Sequence, residues 1–187
     1  MTRGVILDRD GTLIEEVGYL DRLDRLQFYP YSVDAVRLLN QAGYKVAITT
    51  NQSGIARGLV EESFVAEAHE FIAAHLAAGG ARVDAFYYCP HHPDASRREY
   101  ARSCDCRKPQ PGMLRRAAAD LGLDLAHSFV VGDRWNDIEA GAAVGARGVL
   151  VRTGYGRVSE ANSATKMPPA YFADNLVQAV SWILRQL

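Results

Sequence analysis

Short apolar runs alternate along the chain with longer segments whose apolar positions recur every three or four residues. The runs cover residues 4–7, 44–49 (YKVAIT), 83–88 (VDAFYY), 129–133 (FVVGD) and 148–151 (GVLV). Their length and their β-branched and aromatic content predict strands buried on both faces. Helical spacing is carried by Ala35, Val36, Leu38 and Leu39, then by Phe64, Val65, Ala68, Phe71, Ile72 and Leu76, and later by Met113, Leu114, Ala117, Ala118 and Leu121. Ser32 is placed to cap the first of these helices and Gly43 to stop it. Gly79-Gly80 and Gly122 stop the other two, and Pro111 opens the last. A short helix is predicted over 136–144. A final one over about 174–186 has Asp174 as cap and Leu176, Val177, Val180, Ile183, Leu184 and Leu187 as its core stripe. Residues 154–170, with Gly, Ser, Asn and two prolines, predict a long loop. Strands alternating with helices in this way predict an α/β fold: a three-layer α/β/α, Rossmann-like parallel sheet in one domain over 1–187.

Ligands of such sheets bind at the carboxyl ends of the strands. Asp8, Thr50, Cys89 and Asp133 all stand at or just after such an end. Asp8 and Asp10 flank Arg9 and precede Gly11-Thr12, a composition that also suits a plain turn. As chemistry, the pair supplies a nucleophile, Asp8, and a proton carrier one step along, Asp10. A carboxylate attacking phosphorus forms an aspartyl-phosphate, which water hydrolyses. Asp133, with Asp8, offers the oxygen ligands that Mg²⁺ prefers, and a dianionic phosphate needs such a cation to approach carboxylates. Asp137 either charges the first turn of the predicted helix or joins Asp133 as a second acidic pair. The Thr50 hydroxyl and the Lys108 ammonium would share the charge of a phosphoryl group in flight.

Composition narrows the partners. With 21 Lys+Arg against 22 Asp+Glu, the net charge is -1, which removes the usual electrostatic reason to expect nucleic acid or an anionic membrane. No apolar run approaches the roughly 20 residues of a membrane span, and the N-terminus lacks a signal-peptide core. The expected setting is the cytoplasm, the expected state a monomer. Ordinary hydrophobic (48%) and charged (23%) fractions exclude wholesale disorder. The three cysteines, Cys89, Cys104 and Cys106, cluster in one window. Cys89-Pro-His91 and Cys104-Asp-Cys106, with twelve residues between His91 and Cys104, form a Cys₃His set of the kind that closes around structural zinc. His92 is an alternative to His91 by spacing alone. Arg107 and Lys108 follow directly, so zinc in a loop over 89–106 would also hold two cations near the substrate.

The stretches VILDRDGTLI (5–14), ITTNQ (48–52), RKP (107–109) and VVGDRWND (130–137) together resemble, in order, the four motifs of the haloacid-dehalogenase superfamily of phosphohydrolases. The resemblance implies that Asp8 is the nucleophile and Asp10 the general acid/base, whose backbone carbonyl also ligates Mg²⁺. It implies that Thr50 and Lys108 hold the phosphoryl group and that Asp133 binds the metal. No separate cap domain fits between Thr50 and Lys108. Capless members with a C-x-H…C-x-C insert look like two groups, the heptose bisphosphate phosphatases and the histidinol-phosphate phosphatases. TNQSGIARG (50–58) and CDCRKPQPGML (104–114) resemble the first, which removes the 7-phosphate of D-glycero-D-manno-heptose 1,7-bisphosphate in bacterial surface-sugar synthesis. That likeness implies substrate contacts from Glu16, Val17, Gly18 and Tyr19, from Thr50, Asn51, Gln52 and Ser53, and from Arg107, Lys108 and Arg134. Arg134 stands where the heptose group often has lysine, and GDR also occurs in the histidinol-phosphate group. A bisphosphate needs further cations, for which Arg107 and Arg134 are candidates and Arg57 a weaker one. A receiver-like phospho-aspartate signalling domain is the rival of another class; a second carboxylate at Asp10 and the cysteine loop argue against it. Trp135 is open to either pocket shaping or packing, and His69 and His75 are expected at the surface or boundary.

Overall fold

The computed structural model describes residues 2–162 and 167–186. Six strands, β1 (Gly4–Leu7), β2 (Lys45–Asn51), β3 (Ala85–Cys89), β4 (Phe129–Gly132), β5 (Arg147–Val151) and β6 (Tyr171–Ala173), form one parallel sheet in the order β3-β2-β1-β4-β5-β6. This is the doubly wound Rossmann order, whose direction of winding reverses between β1 and β4. The strands are continuous hydrophobic runs because both faces are covered. Val5, Leu7, Val46, Ile48, Phe129 and Val131 point into one core, and the alternate residues Ile6, Ala47 and Val130 into the other.

The first core is completed by α1 (Ser32–Gln41), α3 (Glu62–Ala78) and α7 (Leu176–Leu184). The second is completed by α4 (Gly112–Leu121) and α5 (Trp135–Ala142). Two short helices, α2 (Ser53–Ala56) and α6 (Gly156–Ala161), follow β2 and β5. Between β2 and β3 lie only α2 and α3, and no cap domain is present among the described residues. No described helix is long and apolar enough to cross a membrane.

The departures from the expected elements have local causes. The region predicted as a loop over 154–170 contains α6, and β6 follows it directly. β6 has only three residues, too few to show a period. Leu38 and Val177, read into core stripes, are exposed. At about 100° per residue, Leu38 sits roughly 200° round the helix from Val36. Phe71 is exposed as well, and Leu187 lies outside the described residues. His69, expected near the surface, is buried and stacks on Phe86; burial pushes its pKa down to about 4, whereas His75 is exposed as expected. Ser32 is no cap: its buried hydroxyl donates to the Leu13 carbonyl and ties α1 to the segment after β1.

The cap of α7 is Asn175, which accepts the Gln178 N–H; Asp174 instead pairs with Arg152 at the surface. Asn175→Ala should therefore lower stability by about 1 kcal/mol in urea unfolding. Asp174→Ala should cost less than about half of that, since exposed pairs contribute little. Equal losses would return the capping role to Asp174.

Candidate active site

The carboxyl ends of β1 and β4, on either side of the switch point, carry Asp8 and Asp133. The Asp8 N–H donates to the Val131 carbonyl, so the first residue after β1 is still fixed by β4. Lys108 reaches the same point from the segment before α4 and is 3% exposed. Its Nζ lies 2.7 Å from Asp8 Oδ1, 2.8 Å from the Thr49 carbonyl and 2.5 Å from Asp137. A buried ammonium with three acceptors is satisfied, and its two carboxylate partners hold it firmly charged against the cost of burial. The main chain of Lys108 is fixed as well. The Asn51 side chain accepts from the Lys108 N–H and donates to its carbonyl, each at 3.0 Å.

Asp137 faces two ways. One oxygen accepts the Arg134 N–H at the start of α5, and the other meets Lys108. Asp133 accepts from the Tyr155 N–H with Oδ2, while its buried Oδ1 has no partner. Oxygens of Asp8, Asp133 and Asp137 all lie within 4.8 Å of one another. Burial first, and the neighbouring carboxylates after it, push the Asp8 carboxyl well above the usual range, with Lys108 pulling the other way. The same causes push Asp133 up to about 7. Three buried carboxylates share one ammonium and leave one oxygen orphaned, which fits a cation at this point. Backbone room for the cluster comes from glycine. Gly11 has φ +83°, and a Cβ there would lie 2.2 Å from Asp133 Oδ2. At Gly132 a Cβ would lie 2.3 Å from the Asp137 carboxyl.

Asp10 stands apart from this cluster. Its Oδ2 accepts from Thr50 Oγ1 (3.1 Å), Gln52 Nε2 (3.1 Å) and Arg9 Nε (3.0 Å), and its Oδ1 from Arg9 Nη2 (3.0 Å). Asp8 and Asp10 open together onto a cavity of about 340 Å³. Glu16, Gly18, Tyr19, Thr50, Asn51, Gln52, Ser53, Arg107, Lys108 and Arg134 line it, as does the weaker candidate Arg57. Val17 does not. Its side chain packs against the core and its carbonyl accepts from Arg25, because Gly18 at φ +79° turns the chain between the two. Several lining residues expected to contact substrate also have internal duties: Asn51 clamps Lys108, and Thr50 and Gln52 hold Asp10.

Sequence reasoning missed Gly54, His92, Asn136 and Tyr155 in the lining. Tyr155 comes from the stretch predicted as loop. Its ring lies under the Arg134 guanidinium at 3.7 Å, and Arg134 is 3.8 Å from Glu16. The flanking glycines of Gly154-Tyr155-Gly156 were the available sign of a close approach. Trp135 is a packing residue, buried with Ile138 and Leu150, its Nε1–H donating to the Ser159 carbonyl.

The cysteine loop gathers Cys89, His91, Cys104 and Cys106 with all ligand atoms within 4.8 Å of one another. The sulfur atoms are 3.5 Å (Cys89–Cys104), 3.1 Å (Cys89–Cys106) and 3.2 Å (Cys104–Cys106) apart. His91 Nδ1 lies 3.3 Å from Cys106 and 3.7 Å from Cys89. Thiolates around tetrahedral zinc are roughly 3.8 Å apart; the three sulfurs stand closer together than that, and the four donors together could hold such an ion. His92 faces Arg57 and the Asp94 N–H instead, so of the two histidines it is His91 that stands with the cysteines. Arg107 donates to the His91 carbonyl, joining the cluster to the cavity wall.

A family model described as HAD-hydrolase-like matches residues 105–179. The chain is 44% identical over 172 residues to the D-glycero-beta-D-manno-heptose-1,7-bisphosphate 7-phosphatase of Photorhabdus laumondii, covering 89% of this chain and 91% of that protein. It is 42% identical over 178 residues to the phosphatase of the same name from Escherichia coli K12, covering 94% and 92%. Among solved structures, the D,D-heptose 1,7-bisphosphate phosphatase from B. bronchiseptica, solved with magnesium and phosphate, superposes with a TM-score of 0.88 at 34% identity over the whole of both chains. With the strand order, the carboxylate cluster and these relatives in agreement, the chain belongs to the HAD-like hydrolases, in the family that includes the heptose bisphosphate phosphatases.

Proposed function

We propose that the protein is a phosphohydrolase that removes the 7-phosphate of D-glycero-D-manno-heptose 1,7-bisphosphate through an aspartyl-phosphate on Asp8. The observation that carries this reading is the convergence of Asp8, Lys108, Asp133 and Asp137 at the switch point, below a cavity with Asp10 on its wall. The relatives named above supply the substrate class.

Asp8, Asp133 and the main-chain carbonyl of Asp10 would hold Mg²⁺, whose charge lets a phosphate dianion approach the carboxylates. Asp8 attacks phosphorus as the bond to the sugar oxygen breaks, and Asp10 gives that oxygen its proton. In the second half Asp10 takes a proton from water as its oxygen bonds to phosphorus, releasing phosphate and restoring Asp8. Lys108 balances charge on Asp8 throughout, fixed in place rather than recruited, which is how preorganised donors lower a barrier. At the cavity mouth Arg57, Arg107 and Arg134 offer positive charge to the phosphate that is not cleaved. The four-ligand cysteine–histidine set would hold Zn²⁺ with no open position, a structural ion in a loop with little core of its own.

Phosphate release measured with Mg²⁺ on the heptose bisphosphate and, in parallel, on histidinol phosphate tests the reading. The expected result is selective loss of the 7-phosphate, reduced by roughly 10⁴-fold or more in Asp8→Asn. Preference for histidinol phosphate would reject the substrate, and a stable phospho-Asp8 without turnover would reject the hydrolase. Removing zinc with a chelator should weaken inhibition by inorganic phosphate while the far-ultraviolet dichroism of the sheet and helices is retained. Unchanged phosphate inhibition in zinc-free protein would separate the loop from the site.

A further inference from the structure

Asp8 and Asp10 face one cavity, yet different groups hold their carboxylates. Asp10 accepts three hydrogen bonds at Oδ2, from Arg9, Thr50 and Gln52, and one at Oδ1, from Arg9. Thr50 and Gln52 stand on the cavity wall; Arg9 is absent from the lining and is 1% exposed. Its guanidinium lies behind the site, where it forks onto both oxygens of its own neighbour. Asp10 is its one ion-pair partner among the described residues, and Nη1 has no partner at all. A buried cation this poorly supplied with acceptors is costly, and an ordinary turn needs none. A two-pronged guanidinium does one thing that a single donor does not: it fixes the plane of the carboxyl.

We infer that Arg9 is a positioning residue for proton transfer, setting the plane of Asp10 so that Oδ1 meets the departing sugar oxygen and then the attacking water. The inference rests on the phosphohydrolase reading above. Oδ2 is saturated by three donors, so Oδ1 is the oxygen that carries the proton. In the first half its O–H bond breaks as the sugar oxygen gains the proton and loses phosphorus. In the second it regains a proton from water as the new O–P bond forms and the Asp8–P bond breaks.

Leaving-group dependence separates this role from a structural one. A sugar alkoxide needs its proton to leave, whereas p-nitrophenolate leaves without one. In Arg9→Lys, kcat/KM for the heptose bisphosphate should fall by about 10²-fold, the usual cost of a small misplacement of a catalytic group. For p-nitrophenyl phosphate it should fall by less than about 5-fold, because general-acid assistance is not needed there. Inhibition by inorganic phosphate should stay as in the wild type. A second comparison removes both members of the pair: Arg9→Met/Asp10→Asn should fall no further than Asp10→Asn alone on either substrate. Equal losses on the two substrates, or a further loss in the double variant, would overturn the inference. Wild-type protein inactive on both substrates would overturn the phosphohydrolase reading itself.

Discussion

Everything at the switch point depends on one buried ammonium. Lys108 lies between Asp8 and Asp137 in a place with almost no solvent, and removing one member of such a set leaves an uncompensated charge worth about 3–5 kcal/mol. The segments that meet there are distant in sequence: the end of β1, the start of α5, and the stretch between the cysteine cluster and α4. Each is held by a separate device. β4 fixes Asp8 through a main-chain hydrogen bond, the N-terminus of α5 fixes Asp137, and the Asn51 amide fixes the main chain of Lys108. The ion pair is therefore assembled by the fold rather than by local choice, and its geometry is not free to relax.

That arrangement divides the cavity by charge. Asp8 and Asp137 line its inner end, and Asp133 is buried behind them with an orphaned oxygen, three carboxylates against a single ammonium. Asp10 does not add to the surplus, since Arg9 neutralises it from behind. The mouth is lined by Arg57, Arg107 and Arg134. A floor short of positive charge and a mouth rich in it suit a cation below and an anionic substrate above. Neither half alone would discriminate a phosphate ester from any other small anion. Glu16, close to Arg134 and raised in pKa chiefly by burial, is the carboxylate set beside these arginines.

Much of this was legible from spacing. Strands buried on both faces have to be hydrophobic throughout, so five of the six were visible as runs, and the residues just beyond them were the site. Ligand pairs two apart, as in Cys89/His91 and Cys104/Cys106, marked the second cluster. What stayed hidden depended on contacts between distant segments. Asn51 reads as a polar residue after a strand, and only the folded chain shows it gripping Lys108. β6 is too short to have a period, and Tyr155 enters the site from a stretch whose glycines and prolines suggested only a loop. The side chain of Arg9 is the clearest case, because an arginine between two aspartates reads as solvated charge until its burial is seen.

The cysteine loop shows why a metal suits this place. Residues 90–103 are HHPDASRREYARS after their proline, and they offer almost no apolar surface to bury. Such a segment cannot offset its own ordering entropy, which runs to about 1–2 kcal/mol per residue for the backbone. It is tied to the rest of the protein at few points: Tyr100 packs against Ile55, Val60 and Val65 with its hydroxyl on Glu62, and Arg97 pairs with Glu61 and donates its N–H to the Ala56 carbonyl. Structural zinc adds apparent binding free energy of about 10–16 kcal/mol in small domains, the same order as that deficit. Cys104 and Cys106 lie just before Arg107 and Lys108. A metal tie at that point would order the loop where its order matters, at the joint that delivers one cation to the cavity wall and another to the buried carboxylates.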